Sequence, residues 1–155
     1  MIHAYSDGSS IGNPGPGGYG VVLCYKGYRK EINQGYSLTT NNRMELLGAI
    51  KALEFLKKKE KVVLTTDSRY VVDGINLGWA KKWKENGWMR TKKERAMNVD
   101  LWIRFLEQID RHDVRINWTR GHSGNIENER CDVLANTAAK ETDLIEDIGY
   151  KTVGK

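Results

Sequence analysis

The sequence has few residues that bind soft metals, and it has no long apolar run. Its 155 residues include two cysteines, Cys24 and Cys131, and three histidines, and none of their spacings resembles a zinc site. A disulfide between the two distant cysteines is left open, although it would be unusual in a reducing cytosol. No apolar stretch approaches the roughly 20 residues that a membrane-spanning helix requires. These absences argue against a zinc protein and a membrane protein, and they favour a cytoplasmic one.

The N-terminus and the composition narrow the class of protein further. The opening residues MIHAYSDGSS have neither the basic start nor the apolar centre of a signal peptide, so we do not expect secretion. Hydrophobic residues make up 39% and charged residues 29% of the chain, which is typical of a globular protein rather than a disordered one. Because no linker and no internal repeat is visible, residues 1–155 are predicted to form one domain.

The net charge of +5 is concentrated in one segment. Residues 79–95 carry seven basic and two acidic side chains, which leaves the rest of the chain neutral. Its lysines are interleaved with Trp79, Trp83 and Trp88, an arrangement that favours contact with a polyanion. The spacing of Trp79 and Trp83 also suits two side chains that anchor a helix to the core.

Apolar periodicity predicts the element order β-β-β-α-β-α-α-α-β-α. Five strands, the second and third joined as a hairpin, are predicted at residues 2–7, 19–27, 28–38, 61–67 and 113–121. Five helices are predicted at residues 41–59, 68–77, 78–88, 98–111 and 125–140, the fourth with Val99, Ile103 and Leu106 on one side. The glycine-rich residues 8–18 are predicted to form a loop, and the last fifteen residues are expected to fray. This order predicts a mixed sheet with helices packed against it.

Four acidic side chains occupy positions that combine charge with partial burial. Asp7 and Asp67 each close a predicted strand, at the edge of an α/β sheet where ligands bind. Glu45 in the first helix and Asp132 in the last helix each lie at the margin of a buried face. Four carboxylates near one point would repel each other and raise one another's pKa values. Divalent cations such as Mg²⁺ would remove this repulsion, and a pair of them serves phosphoryl transfer.

Each of the four acids also has an ordinary structural explanation. Glu45 follows Asn42 by three residues, as in a capping box. Asp67 can cap the next helix, Asp7 can be a turn residue, and Asp132 can lie in solvent. The residues alone therefore leave the convergence of the four acids open.

Several motifs follow one another in a characteristic order along the chain. They are YSDGSSIGNPGPGGYG, TTNNRMEL, TDSRYV, the basic segment with its tryptophans, NVDLW, and TRGHSG followed by ENERCDVLA. Together they resemble type 1 ribonuclease H of the bacterial kind, from about Ile2 to Tyr150. The resemblance places the acids of that family at Asp7, Glu45, Asp67 and Asp132, and its histidine at His122.

The resemblance implies a ribonuclease H-like α/β fold, with a five-stranded mixed sheet flanked by helices. It implies an endonuclease that cleaves the RNA strand of RNA–DNA hybrids and leaves 5′-phosphate and 3′-hydroxyl ends. The four acids would hold two Mg²⁺ ions during catalysis, with Mn²⁺ as a substitute, and His122 would assist proton transfer or product departure. Glu129 would bias metal occupancy, although an acid in the first turn of a helix is also ordinary.

Residues that contact the hybrid are likewise implied by the resemblance. Short polar side chains that suit 2′-hydroxyls in a shallow minor groove are Ser9, Ser10, Asn13, Asn41 and Asn42. Thr40 and Asn98 match positions that hold a DNA phosphate, and Leu38 stands where some relatives carry a basic residue. The side chains of the basic segment that would grip the DNA strand are Trp79, Lys81, Lys82, Trp83, Lys84, Trp88, Lys92 and Lys93. Asn41 and Asn42 can instead cap their helix.

Two other functions are compatible with parts of this pattern. A non-catalytic module that binds RNA–DNA hybrids would need the basic segment but not the four acids. An actin-like ATPase also has aspartates at strand ends, but it is built from two such halves, and 155 residues supply one. We expect a monomeric nuclease whose partner is a hybrid and which does not associate with a membrane.

Overall fold

The computed structural model describes residues 1–150 and confirms the predicted order of ten elements. The strands are β1 (Ile2–Ser10), β2 (Gly15–Tyr25), β3 (Tyr28–Thr39), β4 (Lys61–Thr66) and β5 (Asp113–Trp118). The helices are α1 (Asn41–Glu54), α2 (Arg69–Asn76), α3 (Trp79–Glu85), α4 (Val99–Arg111) and α5 (Ile126–Ala139). The strands form one sheet in the order β3-β2-β1-β4-β5, which is the predicted five-stranded sheet.

The sheet is mixed because β1 has a different kind of partner on each side. It pairs antiparallel with β2 and parallel with β4, and β4 pairs parallel with β5. The predicted hairpin between β2 and β3 is confirmed, since Lys26 and Gly27 have the two positive φ angles, 47° and 83°, that a type I′ turn needs. The larger core lies between the sheet and α1, α2 and α4, and a smaller one lies beneath α5.

The first strand continues beyond its predicted end. Residues 8–10 pair with residues 17–19 of β2, because the glycine-rich stretch supplies backbone hydrogen bonds although its side chains have no strand pattern. The prediction of a loop over residues 8–18 is therefore wrong except near residues 11–14. Asp7 accordingly lies inside a strand rather than at its end.

Two helices differ from their predicted form. The first, α1, ends at Glu54, so the lysines at residues 57–59 lie beyond it. The buried side chains of α4 are Leu101, Trp102 and Phe105. Ile103, which the sequence groups with Val99 and Leu106 on one side, is 40% exposed, because the side of α4 with the bulky aromatic rings faces the core. Among residues 1–150, no helix has the length and apolar character needed to cross a bilayer.

Two glycines allow helices to approach the sheet closely. A Cβ atom added at Gly8 of β1 would lie 2.2 Å from the backbone nitrogen of Glu45, so α1 crosses β1 in contact with its backbone. On the opposite face, a Cβ atom added at Gly20 of β2 would lie 2.4 Å from the carbonyl oxygen of Cys131 in α5. Glycine at these positions therefore sets the distance at which Glu45 and Asp132 stand from the sheet.

The C-terminal segment is attached to the sheet where the sequence predicts fraying. Ile145 pairs with Tyr36 at the open edge of β3, and two backbone hydrogen bonds of 2.8 and 3.2 Å join it to that strand. The part of the predicted tail that the structure describes is thus held in place around this residue. Residues 151–155 lie outside the described part of the chain.

Arg43 of α1 connects this segment to the rest of the molecule. Its guanidinium donates four hydrogen bonds of 2.7 to 3.0 Å, two to Asp147 and two to Asp100. The side chains of Arg43 and Asp147 are only 3% and 7% exposed. Burial alone would raise the pKa of Asp100, but the hydrogen bonds from Arg43 outweigh it and hold that pKa below its ordinary value. The arrangement is a buried ion pair with its hydrogen bonds satisfied.

Candidate active site

Three of the four predicted acids converge at one edge of the sheet. Carboxylate oxygens of Asp7, Glu45 and Asp67 lie within 4.8 Å of one another. Asp7 and Glu45 are buried, with exposed fractions of 4% and 7%, and Asp67 is half-buried. The cluster is thus open on the side of Asp67 and closed on the sides of the other two acids.

The register of the parallel strands places two of these acids side by side. Tyr5 of β1 lies opposite Thr65 of β4, so two further residues bring Asp7 level with Asp67 just past the end of β4. The third acid, Glu45, arrives from α1, whose backbone rests on Gly8.

The capping explanations for these acids are wrong, because other residues cap the two helices. Thr40 is the N-cap of α1, and its hydroxyl accepts the backbone N–H three residues later at 3.3 Å. Glu45 therefore does not form a capping box with Asn42. Ser68 caps α2 in the same way, also at 3.3 Å, so Asp67 is not the cap. The two carboxylates are left without an ordinary structural role.

The three carboxylates repel one another strongly. Burial, and after it the charge of Asp67, raises the pKa of Asp7 from its ordinary value of 3.8 to about 8. Burial and the charge of Asp7 likewise raise the pKa of Glu45 well above its ordinary value. The Oε2 atom of Glu45 is buried and has no hydrogen-bond partner among the described residues. An orphaned acceptor beside two further carboxylates is a donor set that fits a hard divalent cation.

Asp132 lies at the margin of the cluster rather than inside it. It is half-buried on α5, and its charge contributes to the raised pKa of Asp7. Asn136 donates to its Oδ1 atom at 3.2 Å, and Ser9 of β1 donates to Asn136 at 2.6 Å. These hydrogen bonds join Asp132 to the strand that carries Asp7. The structure therefore brings three of the four acids together and leaves the fourth beside them.

The loop that carries His122 touches the cluster. A Cβ atom added at Gly121 would lie 2.9 Å from Oδ2 of Asp67, so the backbone of the loop rests against that carboxylate. His122 follows with an exposed side chain and a φ of 54°. Glu129 is half-buried in the first turn of α5.

Two residues that the sequence did not assign to the site contact Asp67. Asn128 is 1% exposed, its Nδ2 atom lies 3.5 Å from Oδ2 of Asp67, and its Oδ1 atom has no partner within residues 1–150. Trp118 donates its indole N–H to the backbone carbonyl of Asp67 at 3.0 Å. An asparagine in a first helical turn and a tryptophan in an alternating strand carry no signal of this kind, so only the assembled structure reveals them.

Several of the short polar side chains predicted to contact a hybrid already have partners. Asn13 accepts the backbone N–H of Asn41 at 3.0 Å, which joins the loop after β1 to the start of α1. Asn98 accepts from Arg43 at 3.4 Å and donates to a tyrosine hydroxyl at 3.1 Å. Asn41 and Asn42 are exposed and do not cap their helix, because Thr40 does.

In the basic segment, residues 79–95, the cationic side chains and two of the tryptophans face opposite ways. The exposed lysines are Lys81, Lys82, Lys84, Lys92 and Lys93. Trp83 packs edge-on against Trp102 of α4, with ring centres 6.0 Å apart, and Trp88 is half-buried against the same core. Trp79 is 42% exposed. Anchoring to the core therefore explains Trp83 and Trp88 but not Trp79.

Comparison with known proteins points to one family. The family model described as RNase H matches residues 1–140. The chain is 59% identical over 150 residues to the ribonuclease H of Syntrophus aciditrophicus (strain SB), covering 97% of this chain and 87% of that protein. It is 59% identical over 147 residues to the ribonuclease H of Desulforamulus reducens, covering 95% and 92%. Among solved structures, the chain resembles LC9-RNase H1, which is described as a type 1 RNase H with the type 2 active-site motif. The two are 36% identical with a TM-score of 0.78, and the match covers 89% of this chain and 71% of that one.

Proposed function

The chain belongs to the ribonuclease H family, and on this basis we propose that its carboxylate cluster is the metal-dependent active site of an endonuclease. The enzyme cleaves the RNA strand of RNA–DNA hybrids. The observation that supports the assignment of the site is the approach of three carboxylates within 4.8 Å, one of them with an orphaned buried oxygen.

The proposed ligands are the four acids Asp7, Glu45, Asp67 and Asp132, and the proposed cofactor is a pair of Mg²⁺ ions for which Mn²⁺ can substitute. When bound, two such ions stabilise the attacking and leaving oxygens of phosphodiester hydrolysis. The protein itself keeps the ligand atoms in place. For Asp7 it does so with a hydrogen bond of 2.9 Å, which the backbone N–H of Gly8 donates to Oδ1. The products would carry 5′-phosphate and 3′-hydroxyl ends.

His122 is the proposed proton donor or acceptor. Its loop rests on Asp67, and its side chain is exposed, which suits proton exchange with a bound substrate. Glu129 keeps its ordinary explanation as an acid in a first turn, which the positive end of the helix dipole favours.

The proposed hybrid lies across the cluster with its DNA strand on the basic segment. The segment holds the whole net charge of the protein, and its lysines are exposed. Phosphate contacts of this kind do not depend on sequence. The polar side chains proposed for the minor groove are Ser9, Ser10, Asn13, Asn41 and Asn42. Thr40 and Asn98 are proposed to hold a DNA phosphate. We also propose that residues 1–155 act as one catalytic domain, monomeric and cytoplasmic.

Incubation with a hybrid whose RNA strand is end-labelled tests the function directly. With Mg²⁺ we expect internal cuts in the RNA strand, none in the DNA strand, and none in a matched DNA duplex. Intact RNA together with measurable hybrid binding would establish the non-catalytic module instead. ATP hydrolysis in the absence of nucleic acid would favour the actin-like alternative.

Neutralising Lys81, Lys82 and Lys84 together, each to Gln, should weaken hybrid binding and flatten its dependence on salt. Each phosphate contact that is lost should reduce the slope of log affinity against log salt by about 0.7–0.9. Filter binding in EDTA over a range of KCl concentrations measures this slope. Replacing the lysines at residues 57–59, beyond the end of α1, removes the same charge elsewhere and is the control. An equal change in slope for both triple variants would mean that the basic segment is not the binding surface.

The thermal stabilisation by Mg²⁺ should increase with pH. The pKa of Asp7 in the folded protein is raised to about 8, so its contribution to stability is greatest below about pH 4 and is lost as the pH rises to about 8. Cation binding requires the ionised carboxylate and offsets this loss. The rise in Tm on adding MgCl2 should therefore be small near pH 6 and several degrees larger near pH 9. In Asp7→Asn the dependence on pH should become weaker, and the remainder should come from Glu45, whose pKa burial also raises. An equal Mg²⁺ effect at both pH values in the wild type would contradict the metal site.

A further inference from the structure

Arg69 and Trp118 form a stacked pair beside the carboxylate cluster. The Cζ atom of Arg69 lies 3.8 Å from the centre of the Trp118 ring, well within cation–π range. Trp118 ends β5, opposite Thr66 of β4, and its indole N–H bonds to the backbone carbonyl of Asp67 at 3.0 Å. Arg69 follows Asp67 by two residues, at the start of α2. The stack is thus built onto the strand end that carries a proposed metal ligand.

The stack is exposed, so it is not a piece of the core. The side chain of Arg69 is 62% exposed, and Trp118 is 40% exposed. Among the described residues, Arg69 forms one ion pair. Its partner is Asp73, one turn along α2, at 4.0 Å. An exposed pair at that distance holds a side chain only weakly. Stacking occupies the face of the guanidinium and none of its five N–H donors, which stay available to a ligand.

A planar guanidinium held against an aromatic ring suits phosphate oxygens, which it can bind through two parallel N–H donors. Arg69 lies outside residues 79–95, the segment that carries the net charge of the chain. It stands instead at the cluster where the cut phosphate would be held. We infer that Arg69, positioned by Trp118, binds a phosphate of the RNA strand next to the one that is cut, an inference that rests on the proposed function.

The first test compares Arg69→Gln with Arg115→Gln in hybrid cleavage over a range of KCl concentrations. Arg115 is exposed on β5 and points to the face opposite Trp118, so the control removes the same charge away from the stack. Losing one charge-assisted contact should raise KM about ten- to a hundredfold, with a smaller effect on kcat. The slope of log(kcat/KM) against log salt should fall by about 0.7–0.9. Arg115→Gln should leave KM and the slope at wild-type values.

The positioning role of Trp118 is tested by a variant that keeps the charge. Trp118→Leu should raise KM several-fold but leave the salt slope unchanged, because Arg69 is still cationic but is no longer held in place. Trp118→Phe, which keeps a ring for stacking, should restore most of the affinity. If Trp118 only stabilises the fold, these variants should have a lower Tm, but KM should not rise at an unchanged salt slope. That result would overturn the assignment of Trp118.

The strand is identified with hybrids that carry one uncharged methylphosphonate linkage. Placed in the RNA next to the cleavage position, this linkage should weaken binding to the wild type and have no effect on Arg69→Gln. Placed in the DNA strand, it should affect both proteins equally. Identical behaviour of Arg69→Gln and Arg115→Gln, or coupling of Arg69 to the DNA linkage, would overturn the inference. Failure of the proposed function would look different, because the wild type itself would then leave every hybrid uncut.

Discussion

Asp67→Asn should reduce the rate of hybrid cleavage by about a thousandfold or more and leave hybrid binding nearly unchanged. The substitution keeps the size of the side chain and removes the charge that a cation requires. Its backbone hydrogen bond from Trp118 does not depend on the side chain, so the strand end should keep its shape. Single-turnover cleavage in Mg²⁺ measures the rate, and filter binding in EDTA measures the affinity.

The thermal stability of the same variant separates loss of charge from loss of fold. In the absence of metal, Asp67→Asn should be as stable as the wild type or more stable. Burial is the main cause of the raised pKa of Asp7, and the charge of Asp67, which adds to it, is removed in this variant. The matched control is Asp110→Asn. Asp110 is exposed on α4, a helix that carries none of the four acids. This variant should cleave at the wild-type rate. If Asp67→Asn cleaved at a comparable rate, Asp67 could not be a metal ligand.

Arg43→Met should destabilise the protein by about 3–5 kcal/mol. The change leaves Asp147, which is 7% exposed, as a buried carboxylate without its cationic partner, and it releases Asp100 from α4. It also detaches the C-terminal segment from α1. Urea unfolding followed by circular dichroism gives the free energy of unfolding for the variant and the wild type.

The expected loss for Arg43→Met should shrink at acidic pH. Burial raises the pKa of Asp100, but the hydrogen bonds from Arg43 outweigh it and hold that pKa below its ordinary value, so the contribution of this pair to stability is lost as the pH falls. Arg43→Met combined with Asp147→Asn should recover part of the loss at neutral pH, because no buried carboxylate is then left without its cationic partner. Arg104→Met is the control. Arg104 pairs with Glu54 at 2.8 Å in an ion pair that is partly open to solvent, so its loss should cost about 1 kcal/mol or less. Equal losses for Arg43→Met and Arg104→Met would mean that the buried pair contributes no more than a surface pair.

The element order could be read from the sequence because each element carries its own local pattern. The apolar run before Asp67 and the helical spacing around Cys131 are examples, and both elements are confirmed. The convergence of acids followed from the same patterns, since strand ends and helix faces restrict where a side chain can point. The structure supports this for Asp7, Glu45 and Asp67.

The contacts that sequence reasoning missed are non-local. Arg43 and Asp147 are separated by 104 residues, and Asn128 and Asp67 by 61, so no local period links either pair. The extension of β1 through Gly8 was missed for a different reason. Its hydrogen bonds come from backbone atoms, and glycine side chains leave no alternation to detect.

The attachment of Ile145 to Tyr36 also covers part of an open strand edge. Because β3 is an outer strand of the sheet, its free N–H and C=O groups form a template on which another chain could add. Ile145 occupies that template with hydrogen bonds to Gly35 and Ser37, and the hairpin end of β3 carries Arg29 instead. The segment that was expected to fray is therefore a cover over the part of this edge around Tyr36.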